Sequence, residues 1–410
     1  MKHRVAVTGC GAVSALGNSV QELVDALRAA RSGVRLVAAD PTAPPAAAAC
    51  PLLERPHADL STADRALFDP VTRYAMHAAQ EALQQSGLLL SHPRGHRAAV
   101  YWGTAIGGAY SAEEAHRDIW YHGTAPKPLA VLCAMSNAPA AHLSIRFGLR
   151  GANHTFSVAC ASSAIAIGEA FHAIREGRIE CALAGGSEAC VTSGMLRAWQ
   201  AMRILASVDP RSPGEACRPF ALDRSGLVLG EGAAVVVLER LSAATERGAP
   251  VLCEVLGFAS TADASHICIP AVEGQAAAML AALEDASLAP EDVEYINAQG
   301  SGTRIGDLIE SRAIHEVFGE HASKIPVSST KSAHGHLLGA AGALEFVASL
   351  AALKAGFLPA TLNLRQPDPE CDLDCVALLP REGIQAGLFL SNSFAFGGSN
   401  AVLVSRINAR

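Results

Sequence analysis

The stretch Ser157-Val158-Ala159-Cys160-Ala161-Ser162-Ser163 places a thiol where one periodicity gives way to another. Upstream, residues 154–159 are short and carry β-branched Thr155 and Val158 beside Phe156, as a strand does. Downstream, Ile167, Ala170, Phe171 and Ile174 recur at helical spacing, and Gly177 stands where a helix is capped. The stretch therefore predicts a strand running directly into a long helix, the unit of α/β folds. A cysteine just ahead of a first helical turn faces unpaired backbone N–H groups and the positive end of the helix dipole, which favour thiolate over thiol. Cys160 is thus a candidate nucleophile, with a small buried hydrophobe as the reading that the local pattern leaves open.

Outward from this stretch, strands and helices alternate. Residues 5–8 read as a strand, Gly9-Cys10-Gly11 as a tight turn and 19–30 as a helix. The turn lacks the G-x-G-x-x-G spacing, which gives a nucleotide site little support. Residues 40–56, with Pro41, Pro44, Pro45 and an alanine run, follow neither period and are expected as a surface excursion. A helix over 65–86, a strand over 98–103 and a helix over 138–147 follow. Residues 181–185 read as a strand that breaks at Gly185-Gly186, and 233–238 form the continuous apolar run of a strand covered on both faces. After Pro250 the rhythm restarts, with strands over 251–257, 293–298, 326–328 and 388–392 and helices over 274–286, 306–317 and 339–353. An α/β fold of two similar halves is expected, 1–250 with Cys160 and 251–410.

Composition limits what such a fold does. The 410 residues exceed one ordinary domain. Half are hydrophobic and only 17% charged, as a large buried sheet or an extensive subunit interface would require. A net charge of -7 lacks the basic surplus of a nucleic-acid binder. Eleven scattered cysteines form no secreted disulfide framework and suit a reducing compartment. Cys371 and Cys375 have loose metal-like spacing but no second pair or nearby histidine, so no metal site is expected. No apolar run reaches the ~18 residues of a membrane-spanning helix, and residues 5–13 read as strand and turn, not as a signal-peptide core. A soluble, cytoplasmic chain is expected.

Two further stretches carry chemistry. Lys331-Ser332-Ala333-His334-Gly335-His336 and the small residues to Gly342 set a lysine and two histidines at a helix start, where His336 would be held rigidly. A buried, hydrogen-bonded histidine fits that pattern equally well. Glu345 follows in the helix and would pair with Lys331, either buried or at the surface.

Taken together, the segment around Cys160, Arg218-Pro219-Phe220, residues 226–232, Asn297-Ala298-Gln299-Gly300-Ser301-Gly302-Thr303, the 331–342 run and Phe394-Ala395-Phe396-Gly397-Gly398-Ser399-Asn400 resemble β-ketoacyl-ACP synthases of the type II elongating class. The likeness runs in order over nearly the whole chain. It implies a thiolase fold of two duplicated halves with sheets layered between helices, assembled as a homodimer or as a heterodimer with another ketosynthase-like subunit. It implies that Cys160 accepts an acyl chain from the phosphopantetheine arm of an acyl carrier protein, and that a malonyl thioester then loses CO2 and attacks. His336 would stabilise the enolate, and the N–H groups of Cys160 and Phe396 would serve the acyl-transfer oxyanion. Lys331 and Glu345 would organise the site, Phe396 would gate the acyl pocket, Ile106 would line it, and Thr303 and Gly397 fall at further substrate-binding positions. No cofactor beyond the carrier's own arm is implied.

Two departures qualify the resemblance. Gln299 stands where the family pattern Asn-Ala-His-Gly has histidine, and glutamine donates a hydrogen bond but does not titrate. The basic segment that greets an acidic carrier is thin, with Arg65 beside Asp64 and only Lys127 and Arg203 as further candidates. A condensing enzyme of a fatty-acid or polyene/polyketide pathway is the first expectation. A non-condensing partner akin to a chain-length factor is the alternative, and an acyltransferase that loads Cys160 without decarboxylation is a third.

Overall fold

The apolar strands collect into one eleven-stranded sheet in a computed structural model that describes residues 2–40, 43–52, 61–88 and 97–407. In chain order its strands are β1 (Val5–Val13), β2 (Ala99–Gly103), β3 (Asn153–Phe156), β4 (Cys181–Glu188), β5 (Gly232–Arg240), β6 (Cys253–Ala262), β7 (Tyr295–Asn297), β8 (Pro326–Ser328), β9 (Asp374–Cys375), β10 (Leu388–Phe394) and β11 (Ser399–Arg406). The spatial order is β9-β8-β7-β10-β11-β6-β1-β5-β4-β2-β3. Apart from β9, the second half repeats the first: β3-β2-β4 and β8-β7-β10 are parallel, and β5-β1 and β11-β6 complete each set antiparallel. The halves join where Val5, Ala6 and Val7 of β1 pair with Val255, Glu254 and Cys253 of β6. The duplication expected from the restarted rhythm is therefore present in the topology.

The helices that position the site are α1 (Val20–Arg28), α2 (Pro70–Ser86), α3 (Ser162–Arg175), α4 (Val272–Ala286), α5 (Arg304–Phe318) and α6 (Ala341–Lys354). Helices α3 and α6 pack on each other and against strands of both halves. Their surroundings explain why α6 is apolar almost all round, a pattern that suits only an interior helix. Leu344, Phe346, Val347 and Leu350 are fully buried there, each worth about 2 kcal/mol relative to exposure. The small residues allow the close approach: a Cβ on Gly342 would lie 2.8 Å from the Ala164 Cβ of α3. On the outer faces, α2 covers β1, β2, β4 and β5, while α4 and α5 cover the second half.

Four expectations change on contact with the structure. Gly9-Cys10-Gly11 is not a turn but the middle of β1, because α2 crosses so closely that a Cβ on Gly9 or Gly11 would fall 2.2 or 1.9 Å from the carbonyl oxygens of Ala82 and Ala78. Strand β4 does not break at Gly185-Gly186 but runs to Glu188; the Gly103 carbonyl and the Ser163 side chain leave no room for a Cβ on Gly186. Within the expected surface excursion, Ala43–Cys50 is a strand paired with Arg35–Asp40 and with Leu229–Gly230, and its residues 47–50 are buried. Residues 41–42 and 53–56 of that excursion lie outside the described residues. The helix expected over 65–86 is two, Thr62–Leu67 and α2, since Pro70 has no N–H to continue a helix and Asp69 caps the new one through the Val71 N–H. The 394–400 loop proves to be a tight hairpin turn between β10 and β11. Among the described residues no helix is long and apolar enough to cross a membrane.

Candidate active site

Each half delivers one reactive group by the same local device. Ala159–Ala161 forms a 3-10 turn that opens α3, and Leu338–Ala340 forms one that opens α6. The first residue of each turn, Ala159 and Leu338, holds φ at +44°, a conformation costing non-glycine residues about 1–3 kcal/mol. Packing on the sheet sustains this strain at two matching corners. Cys160 lies in the first turn and His336 just before the second.

These corners meet. His336 Nε2 stands 3.0 Å from Cys160 Sγ, and the two residues are 2% and 6% exposed. The Leu338 N–H donates to His336 Nδ1 at 3.3 Å, so the ring proton belongs on Nε2, facing the sulfur. Backbone bonds fix the histidine from the other side: its N–H donates to the Val228 carbonyl and its carbonyl accepts from the Gly230 N–H. That pairing gives the 226–232 motif a role that sequence alone did not disclose.

Burial dominates the electrostatics. It holds His336 well below the usual histidine value, with the Lys331 charge acting in the same direction. It also pushes the Cys160 thiol up to about 11, against Lys331 and the Phe396 N–H, which both pull it down. The thiolate expected from the helix position is thus outweighed by desolvation, and the resting pair is a thiol beside a neutral imidazole.

Lys331 and Glu345 form a buried ion pair of 2.6 Å, so the buried form of that expectation holds. The Lys331 ammonium also donates to Gln299 Oε1 at 3.3 Å. With its oxygen engaged, the Gln299 amide turns its NH2 group away from the lysine. Burial raises Glu345 to about 7, opposed by Lys331 and by Asn297, whose amide donates to it. His334, the second histidine of the run, contacts Thr330 and the Gly335 carbonyl and is held down to about 3 by burial.

Cys160, Gln299 and His336 line one cavity of about 360 Å³ together with Thr303, Phe394 and Phe396. Phe396 stacks on Trp199 with ring centroids 6.2 Å apart. Two proposed substrate contacts stand elsewhere: Ile106 is 36% exposed and absent from the lining, and Gly397 is exposed in the hairpin turn beside it. Arg203 sits on the rim, whereas Lys127 pairs with Glu114 in a separate cleft, so the two do not form one basic patch. The side chain of Arg65 lies outside the described residues.

Three carboxylates that support the site were not foreseen. Glu188 accepts from the N–H groups of Ala105, Ile106 and Gly339, tying the second 3-10 turn to the end of β2. Glu310 accepts from the N–H groups of Gln299 and Gly300. Asp307 accepts from those of Phe220 and Gly302, linking two of the motifs. Asp307 and Glu310 are spaced like an ordinary polar helix face, and only the fold turns that face inward.

Comparison with known proteins follows the same lines. Residues 2–244 match the beta-ketoacyl synthase N-terminal domain and residues 252–365 the beta-ketoacyl synthase C-terminal domain. The chain is 41% identical over 414 residues to nodulation protein E of Rhizobium leguminosarum bv. trifolii, covering 99% of this chain and 100% of that protein. It is 38% identical over 410 residues to 3-oxoacyl-[acyl-carrier-protein] synthase 2 of Staphylococcus aureus (strain COL), covering 98% and 97%. Of solved structures, the ishigamide ketosynthase/chain length factor matches with a TM-score of 0.91 at 31% identity over 100% of both chains. A type II PKS acyl-carrier protein in complex with its ketosynthase, bound to the hexaketide, provides a chain that matches with a TM-score of 0.91 at 30% identity, again over 100% of both.

Proposed function

The chain belongs to the beta-ketoacyl synthase family, and from that premise we propose that it condenses an acyl group held on Cys160 with a malonyl thioester carried by an acyl carrier protein. The observation that carries this reading is the 3.0 Å contact between Cys160 Sγ and His336 Nε2 inside a cavity that Gln299 also lines. In the first half-reaction the thiol attacks the thioester carbonyl, the acyl group moves to sulfur, and the thiol proton leaves with the departing pantetheine thiol. In the second, the malonyl group loses CO2 and its electron pair becomes an enolate. The enolate carbon attacks the Cys160 thioester, forming a C–C bond and expelling the thiolate, which takes up one proton.

The roles of the two donors follow from their protonation. His336 is held neutral and presents Nε2–H; Gln299 cannot ionise and presents its amide N–H. Both offer a fixed hydrogen bond to the enolate oxygen, and neither carries charge. A second imidazole beside Lys331 would face the same desolvation, so an amide supplies what the site uses. Gln299→Leu is accordingly expected to slow condensation by about 10²-fold while acyl loading stays intact, and Gln299→His to remain within about tenfold of the native rate. Mass spectrometry of the Cys160 adduct beside the rate of CO2 release separates the two steps. A large gain in Gln299→His would show that the site lacks a base.

The overall test is incubation with acyl-ACP and then malonyl-ACP, reading the Cys160 adduct, CO2 and 3-oxoacyl-ACP. No adduct would exclude catalysis through Cys160, and an adduct without CO2 would leave acyl transfer alone. The non-condensing partner reading finds no support in a site that keeps its thiol against its histidine. We further propose that the enzyme works as a pair, with a second copy or another ketosynthase-like subunit, across the edge strand β3. That strand is partly exposed, and Ile145 on the helix packed against it (Ala138–Phe147) is exposed as well.

A further inference from the structure

Gln275 is a polar side chain with nothing to bind. It lies in the first turn of α4, is 2% exposed, and lines the same cavity as Cys160, yet its Oε1 has no hydrogen-bond partner. Burying an amide without a partner costs free energy that an alanine, leucine or methionine at this position would not incur. The position is also rigid. A Cβ on Gly274 would fall 1.9 Å from Asp263 Oδ1, so the start of α4 is pressed against Asp263, which accepts from the Ala271 N–H and the Asn400 amide. A rigid, unsatisfied amide on the wall of a substrate cavity is what a hydrogen-bonding subsite requires.

We infer that Gln275 is a positioning residue that hydrogen-bonds an amide of the pantetheine arm while the thioester lies at Cys160. This inference rests on the condensing reading above. The choice of ligand follows from chemistry. A hydrocarbon acyl chain offers no partner to an amide, whereas the pantetheine arm carries secondary amides, each with one donor and one acceptor that a glutamine amide matches. Apolar Phe394, 7% exposed, shares the lining, with Ile267 and Ile269 exposed at the mouth, so a bond formed at Gln275, itself 2% exposed, discriminates against a ligand that lacks the group.

Binding of free 4′-phosphopantetheine to the full-length protein, followed by ligand-detected NMR titration, tests the inference apart from catalysis. Gln275→Met removes the amide at similar volume. The expected result is a Kd raised about five- to tenfold with the melting temperature unchanged or higher, because no protein hydrogen bond is lost. Binding of an alkyl thioester without amides should be unaffected. An unchanged Kd for phosphopantetheine, an equal loss for the amide-free thioester, or a variant that melts several degrees lower would each overturn the assignment. Wild-type acyl loading from acyl-ACP is measured in parallel; its failure would count against the condensing reading, whereas an unchanged Kd counts against Gln275 alone.

Discussion

Cys160→Ala is expected to abolish the acyl adduct and lower 3-oxoacyl product formation by more than about 10⁴-fold, since covalent transfer has no second route through the same pair. The other thiol lining the cavity among the described residues is Cys268, exposed at the rim, where its backbone N–H donates to His266 and no bond to His336 is made. Decarboxylation should survive. The enolate donors are His336 and Gln299, and neither relies on the Cys160 side chain for its place: His336 meets Sγ but is also fixed through Leu338, Val228 and Gly230, and Gln299 is held through Lys331 and Glu310. CO2 release from malonyl-ACP without condensation is therefore the predicted signature, read by mass spectrometry of the carrier-bound product. Retained 3-oxoacyl-ACP would move the nucleophile elsewhere.

How far the sequence anticipates this site depends on which interactions are local. The strand-to-helix corner at Cys160 was legible because β-branched residues and a helical apolar period flank it within a few positions. The Lys331–Glu345 pair was legible as a possibility, as both lie in one short run. By contrast, the distance between Cys160 and His336, 176 positions apart, is set by two helices meeting between the halves of the sheet. No local pattern encodes such a contact; only the family resemblance supplied it. Glycines misled for a related reason. Gly9, Gly11, Gly185 and Gly186 read as punctuation, yet they sit inside strands because a crossing helix, or a neighbouring strand with the Ser163 side chain, leaves no room for a Cβ there. The same blindness hid Gln275 and Glu310, whose polar side chains look like solvent-facing positions until the fold encloses them.

Lys331→Met is expected to cost both stability and chemistry, and the two losses can be separated. The lysine is fully buried, and removing it leaves Glu345 without a counter-charge, which costs about 3–5 kcal/mol. The pH dependence has a definite sign. Glu345 is already raised to about 7 from 4.5 in the folded protein. A carboxyl with a raised folded value binds its proton more tightly in the folded state, so stability falls as pH rises from the unfolded value through the folded one. In the native protein this decline ends near pH 7. Without Lys331 the folded value moves higher, so the variant should keep losing stability between pH 7 and 8.5, where the native curve has flattened. Urea denaturation at three pH values checks this; parallel curves would mean that Glu345 is not the group left unpaired. The chemical loss has another cause, because Lys331 also holds the Gln299 oxygen and thereby the direction of the amide donor. Condensation should drop by about 10²-fold with acyl loading retained. Replacing both partners, Lys331→Met with Glu345→Leu, should restore most of the stability, as apolar pairs do in place of buried ions, but none of the condensation. Recovered activity in the double variant would show that the ion pair is structural and that Gln299 orients itself.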